Sequence, residues 1–504
     1  MDAIQTVTSR AEYMHTAADV AETSRVPIEL QVTVHDPFEA FRAVAESHEG
    51  VLLETTGGRA GWSYIGLDPE SWTHVRAPLE SQAVDGSPTL AELQGALDAE
   101  TLIRGECAVP YPCGIIGWLG YEISRELEPT IPQGSPETLP RAQFAVFPTM
   151  IAWREPADTP VHVHLTGCPR VGIEPAATYS STVEDLQTIA EQITAPQPQQ
   201  AASETAAAVN FTSVMGGDDF AEKVTAIKAA IRAGDTFQTN LSHRLEAPAE
   251  LDPLAVYAAL REVNPAPYSG LLRFPGMTLI SASPELLLSV DGERLTTEPI
   301  AGTRPRGADP PADREYEQEL TGDAKERAEH AMLVDLERND LGKVCAYGSV
   351  EVTEYRRVDR YAEVMHLVSE VEGRRRPGVS LTDAIAAMFP GGTITGAPKP
   401  KTMELIATHE DSPRGPYTGS MGLFGFDDRA TLNIIIRTIE MHHGIFGLQV
   451  GAGIVHDSIP EHEYRETLDK ARGMIRAVDA ALAPTQQVRV SDEGPRSHEV
   501  SERT

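Results

Sequence analysis

Lysine is what this 504-residue chain most nearly does without: only Lys223, Lys228, Lys325, Lys343, Lys399, Lys401 and Lys470 are present. Arginine supplies the other basic residues, and 75 acidic against 42 basic side chains leave a net charge of −33. A surface of that sign repels nucleic acid and anionic membranes. It suits a salt-rich cytoplasm, because at molar salt the Debye length shrinks to about 3 Å and self-repulsion is relieved. Cysteine is also sparse. Cys107, Cys113, Cys168 and Cys345 have no metal-ligand spacing, so reduced thiols are expected. There is no apolar run of the roughly 18 residues that a membrane span needs. No cleavable leader pattern opens the chain. The expectation is a soluble, cytoplasmic protein.

What is present is globular: 41% of residues are apolar, enough for two domains or one large one. Residues 1 to about 30 are polar and read as loose. DPFEAFRAV reads as a helix, and VLLETTGGRAGWSYIG (51–66) as a strand, a Gly-Gly turn and a second strand. PYPCGIIGWLGYEISREL (110–127) is an apolar strand running into a helix, and QFAVFPTMIAW and PVHVHLTG are antiparallel strands. PQPQQAASETAAA (196–208) has a linker's composition. The chain therefore divides into an N-terminal part at 30–195, a linker at 196–210, a second part at 211–483 and a flexible tail at 484–504. In the second part, DDFAEKVTAIKAAIRAGD (218–235) is an amphipathic helix closed by Gly234. Strand signals follow it.

DAKERAEHAMLVDLERND (323–340) and PEHEYRETLDKA (460–471) both read as helices. Glu326 and Glu329, and likewise Glu463 and Glu466, stand three residues apart and so share a helix face. Four carboxylates from two helices suit a hard cation such as Mg²⁺. Two solvated acidic faces are the alternative. FPGGTITGAPK (389–399) and VGAGIVHDS (450–458) are Gly-rich turns, the first with Lys399 beside a helix start that favours an anion. A tight structural turn explains the first equally well.

Arg437 ends the apolar run LNIIIRT and needs an anion, either an internal carboxylate or a substrate's. Lys470, one turn beyond Glu466, is able to share that site or to form a simple surface pair. His366, in VMHLVS, lies among apolar residues, where a satisfied core histidine is the ordinary outcome. Glu285, in ASPELLL, would act as a general acid if desolvated. No Ser/His/Asp or Cys/His nucleophile set is legible. Cys113 lacks the small-residue elbow of a glutaminase nucleophile.

Taken in order, PIAGTRPRG, KERAEHAMLVDLERND, VMHLVS, PGGTITGAPK, GPYTGS, IIIRT, VGAGIVHDS and EYRETLDKA resemble the chorismate-utilising enzymes, strongly over about 215–480. The resemblance implies an α+β fold of large, mostly antiparallel sheets packed with helices and a chorismate-binding C-terminal part. It implies Mg²⁺ held by Glu329 and Glu466, with Glu326 and Glu463 in support. Gly302 and Thr303 would contact chorismate. Tyr417 and Arg437 would hold the enolpyruvyl carboxylate, with the amides of Gly451, Ala452 and Gly453 and with Lys470. Glu285 would help the C4 hydroxyl leave, and His366 would serve the later elimination of pyruvate.

Two positions choose among branches of that family. Gln238 stands where water-adding relatives carry a lysine base. Ala301 stands where aminodeoxychorismate-forming relatives carry a nucleophilic lysine, and alanine forms no adduct. Both imply the branch that converts chorismate and ammonia to anthranilate and pyruvate, the ammonia coming from a separate glutamine amidotransferase subunit. NPAPYSG (264–270) and PGGTITGAP look more like the aminodeoxychorismate branch, which remains the alternative. A non-catalytic tryptophan-binding regulator is a third reading. Where the family's tryptophan feedback site uses LLES and NPSPYM, this chain has Thr55 and Pro267-Tyr268-Ser269, and the N-terminal part is expected to be the regulatory one.

Overall fold

The computed structural model describes residues 4–45, 47–76, 86–132, 137–157, 159–195, 209–248, 251–361, 364–482 and 488–491. Two large sheets lie face to face, of fourteen and ten strands. The fourteen-stranded sheet begins at Gln5–Thr6, Ile28–Val34 and Val161–Gly167, and continues through Thr149–Glu155, Gly61–Leu67 and Gly50–Glu54. It then passes to Tyr268–Phe274, Met277–Ser283, Thr438–His442, Ile445–Ile454, Gln238–Pro248, Asn210–Ser213 and Arg489–Ser491. The ten-stranded sheet runs from Ile300–Pro305 through Val364–Arg374, Arg294–Glu298, Leu286–Asp291 and Arg429–Asn433. Ser420–Phe424, Gly114–Leu119, Ala142–Phe147 and Ser71–Val75 complete that order; off these paths, Gly396–Ala397 pairs with Gln238–Pro248 as the fourteenth strand and Glu351–Arg360 with Val364–Arg374 as the tenth.

Period-two patterning explains which face each strand buries. In Ile28–Val34 the apolar residues Ile28, Leu30, Val32 and Val34 all enter one core, against the helices Pro37–Ala45 and Pro175–Thr194. A second core packs the ten-stranded sheet on the helices Pro88–Asp98, Ala324–Gly342 and Leu381–Met388. Between the sheets, Val51, Met150, Leu272 and Leu279 of one meet Ile116, Trp118, Phe147 and Met421 of the other. Helices thus cover both outer faces of a sheet sandwich.

Both sheets draw strands from either side of residues 196–210. Gly50–Glu54 pairs with Tyr268–Phe274, and Gly114–Leu119 with Ser420–Phe424. The division of the chain at the linker is therefore not a division between sheets, and residues 196–208 lie outside the described residues. Two expectations are corrected. The opening thirty residues are not loose, since Ser9 and Glu12 form a capping box on a helix, Arg10–Ala17, that buries Tyr13. Within the tail, Arg489–Ser491 adds a parallel edge strand to Asn210–Ser213. No described helix is long and apolar enough to cross a membrane.

Trp118 is buried between the sheets and donates its indole N–H to Gln143 at 3.1 Å. Trp118→Ala should cost about 3–5 kcal/mol of stability, measured by urea unfolding. A loss below about 1 kcal/mol would show that the inter-sheet core does not hold the sandwich.

Candidate active site

The chain passes from one sheet to the other twice at the same place. Met277–Ser283 leaves the larger sheet and Leu286–Asp291 enters the smaller, with Pro284 and Glu285 between them. Arg429–Asn433 and Thr438–His442 make the reverse passage through residues 434–437. The passages are stitched together: the Ile434 N–H donates to the Glu285 carbonyl (3.0 Å), and the Ala282 N–H to the Arg437 carbonyl (3.1 Å). The Ser283 hydroxyl bonds the Ile434 carbonyl at 2.6 Å. Arg437 therefore does not end a strand, as LNIIIRT suggested. It occupies the sheet-to-sheet passage with a left-handed backbone, φ 50°, a conformation that persists only where the surroundings over-determine it.

Glu285 is buried there, and burial pushes its carboxyl up to about 7 while Arg437 pulls the other way. Burial drives His366 down to about 3, so the imidazole is neutral. One ring nitrogen bonds the Thr303 hydroxyl (2.9 Å) and Arg437 approaches the other at 3.4 Å. Guanidinium only donates, so the nitrogen facing it carries the lone pair, and Nδ1–H donates to Thr303. Among the described residues Arg437 has no carboxylate ion pair, and burial lowers its pKa. No carboxylate among the described residues lies within ion-pair distance of it, although Glu285 is near enough to act on its charge.

Thr303 faces His366 across a bulge whose extra residue is Gly302, at φ 81°. A Cβ on Gly302 would stand 2.9 Å from Leu320 and 3.0 Å from the Glu326 carboxylate. Glycine thus lets the strand Ile300–Pro305 close onto the helix Ala324–Gly342. Asp323 caps that helix, accepting from the Lys325 and Glu326 amides, and Arg304 ties Glu326 and Asp323 to the strand.

The second helix, Pro460–Ala481, presents Glu463 and Glu466 to the first. Burial raises Glu329, with Glu326 and Glu466 adding to the rise. Burial and Glu466 raise Glu463 as well. Lys325 lies 3.6 Å from Glu329, and Lys470 pairs with Glu466 at 2.8 Å. Lys470 also donates to the Gly451 carbonyl at 3.0 Å, so it is more than a surface pair. Among the described residues no three ligand side chains converge on one point. The fit to a divalent cation rests instead on the donors: all are oxygens, from two helices, and burial, with neighbouring carboxylates adding to it, raises Glu329 and Glu463, which a hard cation would relieve.

Tyr417 is buried, and its hydroxyl stands 2.7 Å from where a Cβ on Gly451 would be. Gln238 lies over Gly453, while Ala452 turns into the core beneath the helix Gly217–Ala233. The turn Pro390–Ala397 does not hold an anion with Lys399, as one reading had it. Lys399 is buried, pairs with Asp340 and donates to the Met388 carbonyl at 2.9 Å. The Gly392 amide donates to Glu337. The turn packs on the Gln238–Pro248 strand: at Gly396, φ 128°, a Cβ would fall 2.1 Å from the Gln238 carbonyl oxygen.

The feedback candidates gather elsewhere. Thr55, Pro267, Tyr268 and Ser269 all line a cavity of ≈ 340 Å³ between the sheets, with Arg59, Trp62, Tyr111 and Asn433. The Thr55 and Ser269 hydroxyls already donate to the Trp62 and Ala266 carbonyls. Glu298, just before the Ile300–Pro305 strand, accepts from Arg59, Tyr268 and Arg357. It links the cavity wall to the site.

Sequence reasoning missed Glu298 and Glu337. Glu337, raised to about 7 by burial, falls in register with the buried His330, Leu333, Val334 and Leu341. A carboxylate on an apolar helix face was the signal available.

Residues 53–476 match the model of the chorismate binding enzyme family. The chain belongs to that family. It is 54% identical to an anthranilate synthase component 1 of Haloarcula marismortui, over 98% of each chain. An aminodeoxychorismate synthase component 1 of Bacillus subtilis is 39% identical, over 89% of this chain and 96% of that one. The crystal structure of anthranilate synthase component I from Streptococcus pneumoniae superposes with a TM-score of 0.70 at 31% identity, covering 82% of this chain and 92% of the other.

Because its folded pKa is raised to about 7, Glu285 is protonated below that pH and loses its acid form above it. With free ammonia held constant, turnover of chorismate should therefore fall as pH rises through about 7. Glu285→Gln should cut turnover roughly 10²-fold or more and flatten that limb. Wild-type rates in the variant would remove Glu285 from the chemistry.

Proposed function

We propose that this chain is the large subunit of an anthranilate synthase, converting chorismate and ammonia to anthranilate and pyruvate with Mg²⁺. The observation that carries the reading is Arg437. This cation lacks a carboxylate partner among the described residues and sits between a protonatable Glu285 and a neutral His366. Arg437 grips the enolpyruvyl carboxylate with two bonds, assisted by Tyr417, Lys470 and the amides of Gly451 to Gly453. Gly302 and Thr303 contact the ring. Glu329 and Glu466, supported by Glu326 and Glu463, would hold Mg²⁺, which neutralises a substrate carboxylate when bound. Ammonia attacks C2, and Glu285 gives its proton to the departing C4 hydroxyl. The neutral imidazole of His366, oriented by Thr303, serves the elimination that releases pyruvate and leaves an aromatic ring once Arg437 turns to the substrate carboxylate. A glutamine amidotransferase subunit supplies the ammonia, since no described constellation in this chain hydrolyses glutamine.

The aminodeoxychorismate branch is disfavoured by Ala301, which forms no covalent adduct. Incubation with chorismate, Mg²⁺ and ammonium should yield fluorescent anthranilate and equimolar pyruvate, and chelation by EDTA should stop it. An amino adduct without pyruvate would transfer the protein to the other branch.

The inter-sheet cavity is of a size for an aromatic amino acid, and we infer that tryptophan binds there as a feedback inhibitor. Ser269→Phe should fill it. Tryptophan should slow the wild type and leave the variant's rate unaltered; equal inhibition of both would place the effector elsewhere.

A further inference from the structure

The turn Pro390–Ala397 meets the sheet-to-sheet passage and the helix Ala324–Gly342 through two glycines. A Cβ on Gly391 would stand 2.8 Å from Ile434 in the passage, and a Cβ on Gly392 would stand 3.0 Å from Glu337 Oε1 on the helix. Glycine at both positions lets passage and helix close on the turn. The Gly392 N–H donates to Glu337 Oε1 at 3.2 Å. Thr393, next in the turn, brings a buried hydroxyl up to the Glu285 carboxyl without closing a hydrogen bond of ordinary geometry. Three consecutive residues thus connect Glu285 with a second buried carboxyl.

The other oxygen of Glu337, Oε2, is buried and has no hydrogen-bond partner among the described residues. Holding the turn accounts for one oxygen and leaves the other, costly to bury, unexplained. The groups around the two carboxyls differ. Lys399, from the helix Lys399–His409, and Lys343 favour a charge on Glu337, while Asp340 opposes it. Arg437 favours a charge on Glu285, but the proposed function gives that cation to the substrate carboxylate. Glu337 itself opposes a charge on Glu285. Two buried carboxyls that act on each other do not both ionise readily, and the one backed by two lysines loses its proton first.

We propose that Glu337 is a positioning residue for the proposed reaction: its carboxylate, set across the glycine turn, keeps the proton on Glu285 until the substrate hydroxyl takes it. This rests on the functional reading above. In the step itself the ammonia lone pair forms the C2–N bond. The two ring π pairs each shift one position towards C4, the C4–O bond breaks, and the hydroxyl leaves as water with the Glu285 proton. Glu285 is then an anion in the field of the Glu337 anion, and the repulsion draws a proton back from the new ammonium nitrogen. Glu285 ends as it began, and Glu337 keeps its charge throughout.

The test follows kcat/KM for chorismate against pH, using the full chain, Mg²⁺ and a constant concentration of free ammonia. In the wild type it should fall as pH rises through about 7, the limb that Glu285→Gln flattens. Glu337→Gln removes the charge and keeps the shape. It should move that limb to lower pH by about one unit, so that the loss is greatest at and above neutral pH. Glu337→Asp keeps a carboxylate and should leave the limb within about half a unit of wild type. Should Glu337→Gln melt early, Glu337→Met makes the same comparison. A limb that stays put or moves to higher pH in the neutral variant overturns the proposal, as does an aspartate variant shifted equally far. A rate lowered by one factor at every pH, the mark of a role confined to holding the turn, overturns it too. A wild-type chain that makes no anthranilate overturns the functional reading itself, which distinguishes the two failures.

Discussion

A buried arginine, Arg437, with no carboxylate ion pair among the described residues is the constraint on which this site depends. Taking a guanidinium from water without a partner costs several kcal/mol, so the fold has to hold Arg437 in place against that cost. It does so through the double passage between sheets, in which backbone bonds from Ala282, Ile434 and Ile435 brace residues 434–437. The strands on either side are anchored in separate sheets, so neither end of the passage can relax alone. The outcome is a buried cation fixed in the passage, which the proposed function assigns to a substrate carboxylate.

Burial tunes the two groups beside it in opposite chemical directions for one physical reason. Low polarisability disfavours charge, so Glu285 keeps its proton and His366 loses its own. Both are neutral near pH 7, one an acid and the other a base. At the mouth the logic reverses. Glu326, Glu329, Glu463 and Glu466 crowd one another at partly exposed helix ends, relieved by Arg304, Lys325 and Lys470. In a chain with so few lysines, two of the seven stand at this cluster.

The cavity holding Thr55, Pro267, Tyr268 and Ser269 shares structure with the site without sharing space. Asn433 lines the cavity four residues before Arg437, and its side chain bonds the Tyr268 carbonyl and the Met421 amide. Glu298 meets Arg59 of the N-terminal half and Arg357 of the C-terminal half directly before the Ile300–Pro305 strand. The cavity wall and the site are therefore built on continuous stretches of chain.

The family, the carboxylate pairs and most strands were legible in the residues, because helix-face spacing, period-two alternation and ordered motifs are local properties. Gly234 closing its helix and the 51–66 hairpin are of that kind. The tertiary structure alone decided that Arg437 lies in a passage, that Lys399 is an internal strut, and that strands from both sides of the linker share both sheets. It alone decided that Asn240 and Gln238 keep unpaired oxygens. Whether a charge or an amide finds a partner depends on segments hundreds of residues away, and no local pattern carries that information.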